Sequence, residues 1–220
     1  MKVCTDACLF GAWVASAMQT LQPKRVLDVG TGTGLLSLML AQKSSAFIDA
    51  IEVETQAAQQ ASENFSTSPW SYRLQVFPIP LQEFVTELQY DLIVSNPPFF
   101  EGNLKSNQPK RNVALHSQKL TSTELLVSIK PLLAPGGSVA LMVPADRSSH
   151  FEKLSLDSGF HLKEKVNVRQ TDQHHFFRSM LLFATSTVQV QVQESEHSIK
   201  ENNQYTDFFK YLLKDYYLYL

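Results

Sequence analysis

Cysteine is scarce. The chain holds two, Cys4 and Cys8, close together near its start. With no second pair and no Cys/His spacing of a zinc site elsewhere, a disulfide framework and a metal centre are not expected. Charge is also thin, at 18% of residues with a net −2. That excludes a globally basic nucleic-acid binder while leaving room for a local basic face. No apolar run reaches the ~20 residues needed to cross a bilayer. Asp6 interrupts the start and no cleavage pattern follows, so a signal peptide is not read. A cytoplasmic, reducing location without membrane association is expected. Apolar residues are plentiful, at 44% of 220, enough for one packed domain spanning 1–220.

Strand and helix patterns alternate along the chain. Helical spacing covers residues 9–20 and ends before Pro23. A buried strand follows over Arg25 to Asp28, then a glycine loop and a helix over Leu35 to Ala41. Ala46 to Glu52 reads as a strand, Gln56 to Asn64 as a helix, Tyr72 to Phe77 as a strand, Leu81 to Leu88 as a short helix, and Asp91 to Ser95 as a fourth strand. Thr121 to Leu133 reads as a helix closed by Pro135-Gly136-Gly137, Ser138 to Val143 as a strand, and Ser149 to Ser158 as a helix. His161 to Arg169 and Ser179 to Val192 form two long strand-like segments. The alternation predicts an α/β fold: a Rossmann-like, doubly wound, mostly parallel sheet of seven strands, helices on both faces, and an antiparallel C-terminal edge strand. An apolar stripe over 205–220 predicts a C-terminal helix.

Asp28-Val29-Gly30-Thr31-Gly32-Thr33-Gly34 directly follows the first strand. Glycines there permit a tight turn and a close backbone approach to a ligand. Glu52, at the end of the second strand, suits two ribose hydroxyls. Asp28 would repel a pyrophosphate but attract the ammonium of a methionine moiety, directly or through water. The loop therefore favours S-adenosylmethionine over a dinucleotide.

Asn96-Pro97-Pro98-Phe99 follows the fourth strand. Asn96 offers a side-chain carbonyl oxygen, Pro97 keeps a backbone carbonyl, and Phe99 adds an aromatic face. Such a tetrad can grip a planar amine. A stiff strand-to-loop turn with a buried Phe accounts for the same residues. The polar stretch 101–119 carries Lys105, Lys110, Arg111, His116 and Lys119 against the single acid Glu101. Read as a substrate loop it offers phosphate contacts, Arg111 in bidentate form; an ordinary solvated loop is the other reading. His174 and His175 sit in a polar turn, and Arg178 is the better candidate for a cation facing RNA.

With these residues the chain resembles the class I S-adenosylmethionine-dependent methyltransferases, and within them the bacterial enzymes that methylate N6 of adenine 37 in valine tRNA 1. The resemblance is carried by Lys2-Val3-x-Thr5-Asp6, Gly11-Ala12-Trp13, the glycine loop, Ile51-Glu52, Asn96 to Phe100, Arg111-x-x-Ala114-x-His116, Phe176-Phe177-Arg178 and the tail from Tyr205 to Leu218. It implies that Gly30, Gly32 and Gly34 line the methionine side and that Thr5 and Asp6 close over the cofactor. It also implies that Asn96 presents the amine beside the cofactor, with Phe99 and Phe100 at the substrate. The implied partner is tRNA, acted on by a monomer. Two departures stand out. Pro80 occupies the position where relatives carry an acid for the adenine amino group, leaving backbone carbonyls near Ile79 or the Gln82 side chain to substitute. Relatives also carry a short segment upstream of position 1, so part of the tRNA-contacting surface is expected to be missing or the start assigned late. Alternatives are a ribosomal RNA guanine-N2 methyltransferase, a DNA or protein N-methyltransferase, and a cofactor-binding interaction protein with little turnover.

Overall fold

A computed structural model of the chain describes residues 4–97, 120–185 and 191–220. Helix α1 runs over Thr5–Leu21 and precedes β1 (Arg25–Val29). Then come α2 (Leu35–Lys43), β2 (Phe47–Ile51), α3 (Thr55–Ser66), β3 (Leu74–Phe77) and β4 (Tyr90–Ser95). From residue 120 onward follow α4 (Ser122–Ile129), β5 (Leu133–Pro144), α5 (Ser148–Asp157), β6 (His161–Arg169), β7 (Phe176–Ala184), β8 (Gln193–Ser198) and α6 (Asp207–Leu213).

The strands join in the order β3-β2-β1-β4-β5-β7-β6-β8. Strands β3 to β5 are parallel, and β7 is antiparallel to both β5 and β6. Two expectations are corrected here. Among the described residues the sheet has eight strands rather than seven, and its antiparallel strand is interior while the edge strand β8 runs parallel to β6. The expected strand Ser179 to Val192 is β7, beginning earlier at Phe176 and stopping at Ala184, with β8 as a separate element.

Alternating strand residues feed two apolar layers. Val26, Ile48, Leu92 and Val94 join α1, α2 and α6 on one face, around Phe10, Leu40 and Phe209. Leu27, Ile93, Val139 and Leu141 join α4 and α5 on the other, around Leu125, Phe151 and Phe160. This two-sided cover explains why consecutive residues of β1 and β4, Val26-Leu27 and Leu92-Ile93-Val94, are apolar and buried on both faces.

Helix bounds also differ from the sequence reading. α1 starts one turn earlier than residue 9, and α6 occupies seven residues of the expected 205–220. α4 opens with a capping box between Thr121 and Glu124 and gives way to a 3₁₀ turn at Lys130–Leu132, where Pro131 lacks the N–H that an α-helix needs. Pro135-Gly136-Gly137 lies within β5, where the pairing with β4 shifts register between Tyr90 and Leu92. The expected helix Leu81 to Leu88 is a single 3₁₀ turn, Leu81–Glu83. Leu81 and Phe84 are buried, but Val85 is 92% exposed, so no continuous apolar stripe remains to hold a longer helix.

Trp13, buried in α1, donates its indole N–H to Glu164 Oε1 on β6 at 2.9 Å. This bond crosses from the first helix to the far half of the sheet. Trp13→Phe keeps an aromatic ring but gives up part of the buried indole and leaves the carboxylate without that donor. The expected cost is about 1.5–3 kcal/mol, measured by urea denaturation of both proteins; a loss within experimental error would remove Glu164 as an anchor of α1.

Candidate active site

Parallel register brings three strand ends level. Val29 pairs with Ile51 of β2 and with Ser95 of β4. The glycine loop, Glu52 and Asn96-Pro97 therefore emerge side by side at the carboxyl edge of the sheet, where open α/β sheets bind their ligands.

The loop is fixed by backbone bonds. Gly30 and Thr31 both donate to Ile51 O, at 2.9 and 3.1 Å, and Gly34 donates to Thr31 O. Gly30 has φ +74, and a Cβ there would meet nothing within 4 Å. Its backbone conformation, with open space above, calls for glycine. At Gly34, by contrast, a Cβ would lie 2.5 Å from the Phe65 ring, so packing of α3 against the loop also requires glycine. Asn64 adds a bond from its side chain to Thr33 O at 2.8 Å.

Asp28 is fully buried. Its Oδ2 accepts from Thr31 Oγ1 at 2.6 Å and Ser37 Oγ at 2.7 Å, which ties the loop to the first turn of α2. Among the described residues Oδ1 has no hydrogen-bond partner. Burial pushes the Asp28 carboxyl up to about 6, against the two hydroxyls, which pull it down, while Glu52 adds a smaller upward push. Glu52 Oε2 accepts from Gly32 N at 2.8 Å and Oε1 from Glu54 N at 2.9 Å. A carboxylate has about four acceptor positions, so two backbone donors leave capacity for two hydroxyls.

Asp6 and Arg178, expected at the cofactor and at the RNA, meet each other: Arg178 Nε donates to Asp6 Oδ2 at 3.0 Å. The guanidinium also donates to Phe177 O. Thr5 is exposed in the first turn of α1. Asn96 and Pro97 are partly buried just beyond β4, and Ser95 donates its hydroxyl to Val29 O at 2.7 Å, locking the two strand ends. Phe99, Phe100, Lys105, Lys110, Arg111 and His116 lie outside the described residues. His174 is engaged by Thr171, with Nδ1 and Oγ1 2.6 Å apart. At Pro80 the backbone carbonyl accepts from Glu83 N at 3.0 Å, which leaves the neighbouring Ile79 carbonyl and the exposed Gln82 side chain as acceptors in place of the missing acid. The sequence reading assigns no role to Thr31 or Ser37, although a hydroxyl three residues after Asp28 signals the bond the structure shows.

Residues 11–168 match the model of the methyltransferase small domain family. The chain belongs to this family. Over 222 residues it is 40% identical to a tRNA1(Val) (adenine(37)-N6)-methyltransferase of Dyadobacter fermentans, covering 99% of this chain and 91% of that protein. A protein of the same name from Serratia proteamaculans is 38% identical over 224 residues, covering 100% of this chain and 84% of the relative. Among solved structures, a predicted O-methyltransferase of Agrobacterium tumefaciens superposes with a TM-score of 0.68 at 13% identity, covering 94% of this chain and 95% of that one. Magnesium protoporphyrin IX methyltransferase of Synechocystis, solved with bound S-adenosylmethionine, gives 0.58 at 15% identity, covering 83% and 79%. At these identities the structural likeness concerns the fold. The chain is a class I methyltransferase, and its cofactor is S-adenosylmethionine. The residues present fit that group: the Glu52 carboxylate keeps acceptor capacity for two hydroxyls, and Asp28 Oδ1, without a hydrogen-bond partner among the described residues, suits an ammonium. Among the described residues no helix is long and apolar enough to cross a membrane.

The raised Asp28 carboxyl has a consequence for stability. Its folded value, about 6, lies above the ordinary 3.8. The folded protein therefore holds that proton more tightly than the unfolded chain. The ionised group costs stability above pH 6, and the cost fades as pH falls toward 4, with a full size on the order of 3 kcal/mol. Asp28→Asn removes it. Without cofactor, the variant is expected to gain on wild type between pH 4.5 and pH 7.5 in denaturant titrations, while its cofactor affinity drops at least about tenfold. An equal stability difference at both pH values would contradict the burial of a charge here.

Proposed function

We propose that the whole span 1–220 works as one methyltransferase domain that transfers the methyl group of S-adenosylmethionine to the exocyclic N6 amine of an adenine in tRNA, adenine 37 of valine tRNA 1. The observation that carries this reading is the level emergence of the glycine loop, Glu52 and Asn96-Pro97 from three adjacent parallel strands. The curated relatives, similar along nearly the whole chain, bear that substrate in their names.

In this reading Gly30, Gly32 and Gly34 line the methionine side with Asp28 beneath them, Glu52 holds the ribose, and Thr5 and Asp6 cover the front. The cofactor supplies an electrophilic methyl group. The protein's task is to aim a poor nucleophile at it. An adenine amine delocalises its lone pair into the ring, so two acceptors on its hydrogens must draw them out of plane and turn the lone pair outward. Asn96 Oδ1 and the Pro97 carbonyl are those acceptors. The Pro97 ring fixes φ at this point, which favours a near-attack arrangement, with reacting atoms about 3–3.5 Å apart. No strong base is needed before attack, because the amine becomes acidic only once methylated; its proton then leaves along the carbonyls or to water. Phe99 is assigned the stacking contact from its place in the tetrad, worth about 1–3 kcal/mol in comparable sites. An unpaired anticodon-loop adenine costs little to turn out. Phe100, Lys105, Lys110, Arg111 and His116 are assigned to the RNA by their place in the substrate loop. Arg178 reaches the same edge of the sheet, and its remaining guanidinium donors serve a phosphate.

Radiolabelled methyl transfer to total tRNA from cells lacking the gene, followed by nucleoside identification, tests the substrate. Label in N6-methyladenosine of one tRNA is expected. Label in N2-methylguanosine, or only in ribosomal RNA, would redirect the assignment. Asn96→Ala is expected to lower single-turnover methyl transfer at least about a hundredfold with cofactor affinity nearly kept; a rate within a few-fold of wild type would rule out the role given to Asn96.

A further inference from the structure

We propose that Arg169 and Lys200 carry the tRNA backbone onward from Arg178, so that the carboxyl edge of the sheet from β7 to β8 forms a ridge of phosphate-binding cations. The inference rests on the reading that tRNA is the substrate.

Strand direction brings these residues to the edge that carries the candidate active site. β7 is antiparallel to both β5 and β6, so β6 runs in the sense of β4 and ends, at Arg169, beside the start of β7. β8 is parallel to β6, and the ladder continues past its end: Ile199 N donates to Arg169 O and Lys200 N to Gln170 O, both at 2.9 Å. Neighbouring strands lie about 4.8 Å apart, so β7, β6 and β8 stand about 10, 14 and 19 Å from β4 in the sheet order. An RNA with its adenine at Asn96 extends beyond these distances, and its flanking phosphates reach this edge.

Each cation of the ridge is seated on an aromatic ring. Arg178 lies 5.6 Å from the centroid of Phe177, Arg169 lies 5.2 Å from that of Phe176, and Lys200 lies 5.0 Å from that of Tyr205. Strand pairing sets the last two contacts. Arg169 opposes Phe176 across β6 and β7, and Lys200 opposes Tyr205 in a short hairpin of β9 (Lys200–Glu201) and β10 (Gln204–Tyr205). The hairpin turns through Asn202 and Asn203, at φ 49 and 62, a left-handed pair that asparagine tolerates. It is anchored below. The Tyr205 ring stacks on fully buried Phe209 at 4.4 Å, and Thr206 donates its hydroxyl to Ser198 O at 2.7 Å. The Ser198 hydroxyl in turn accepts from Arg169 Nε at 3.1 Å. Two half-buried cations are therefore held in place before any ligand arrives, which lowers the ordering cost of binding.

Neither cation is neutralised. Arg169 lines a cleft with Asp172, Glu196 and Glu201, yet among the described residues neither Arg169 nor Lys200 forms an ion pair, in contrast to Arg178 with Asp6. Arg169 uses one of its five N–H donors on Ser198, which leaves a fork for a phosphate. The nearby carboxylates repel a polyanion that does not set its phosphates on the cations. The edge therefore discriminates between RNA shapes rather than attracting all of them.

The test measures binding of a valine tRNA 1 transcript to wild type, Arg169→Gln and Lys200→Gln in the full chain across a salt series, with S-adenosylhomocysteine affinity from calorimetry as the control. Each variant is expected to bind the tRNA about three- to tenfold more weakly at low salt, and its plot of log affinity against log salt to be shallower by about one phosphate contact. The tRNA KM rises, cofactor affinity stays within about twofold of wild type, and Arg169→Lys, which keeps the charge, restores the salt slope. A merely structural role for either residue would lower stability and leave the slope untouched. That result would overturn the ridge, as would wild-type affinity in both variants. Should Arg169→Gln fail to fold, Lys200→Gln, outside the central sheet, decides: an unaltered slope there overturns the proposal. Wild type that neither binds nor methylates tRNA would sink the substrate reading and the ridge with it. Wild type that methylates tRNA while both variants match its affinity and slope would sink the ridge alone.

Discussion

Val29 is flanked by Ile51 on one side and Ser95 on the other, all three in parallel register, and this pairing sets where the glycine loop, Glu52 and Asn96-Pro97 stand. A slip of one residue in β2 would turn Glu52 to the opposite face of the sheet. The register is held by the two buried apolar layers and then pinned at its end by polar bonds. Gly30 and Thr31 donate to Ile51 O, Ser95 donates to Val29 O, and Gly32 donates to the Glu52 carboxylate. The last of these joins the loop that follows β1 to the acid that follows β2. The glycine loop, Glu52 and the end of β4 are thus joined to one another within the fold itself.

Stability is given up at one point beneath this loop. Asp28 is a buried acid with one oxygen satisfied by hydroxyls and the other unpartnered among the described residues. A hydrophobic or amide side chain would suit the apo fold better. Such a cost is typical of binding sites, where a group is held ready for a ligand charge that only arrives later. In this account the ammonium of the cofactor supplies that charge.

Much of this was legible in the sequence, because local rules and the global fold agree over the first half of the chain. β1, β2 and β4 are short, mostly apolar segments, each broken by one aspartate, with a loop or turn at each end, and the glycines fall where the backbone turns. Glu52 could be placed by counting to the end of the second strand. The C-terminal half was harder to read. β8 has the sequence QESEHS, whose polar residues suit an exposed edge strand paired on one side only and give no apolar alternation. The insertion of β7 between β5 and β6 is a long-range pairing that no window of sequence records. In the site itself, residue type was readable but partnership was not. Asp6 and Arg178 each stand out by residue type, yet their ion pair joins residues 172 positions apart. The hydroxyls of Thr31 and Ser37 matter only because α2 folds back over Asp28.

A crystal structure of the protein with S-adenosylhomocysteine addresses the central claim most directly. The account predicts the ribose hydroxyls on the Glu52 carboxylate, the amino acid end over Gly30 above Asp28, and the Asn96 side chain facing the sulfur. A ligand bound away from the ends of β1 and β2, or an Asn96 carbonyl turned from the sulfur, would contradict it.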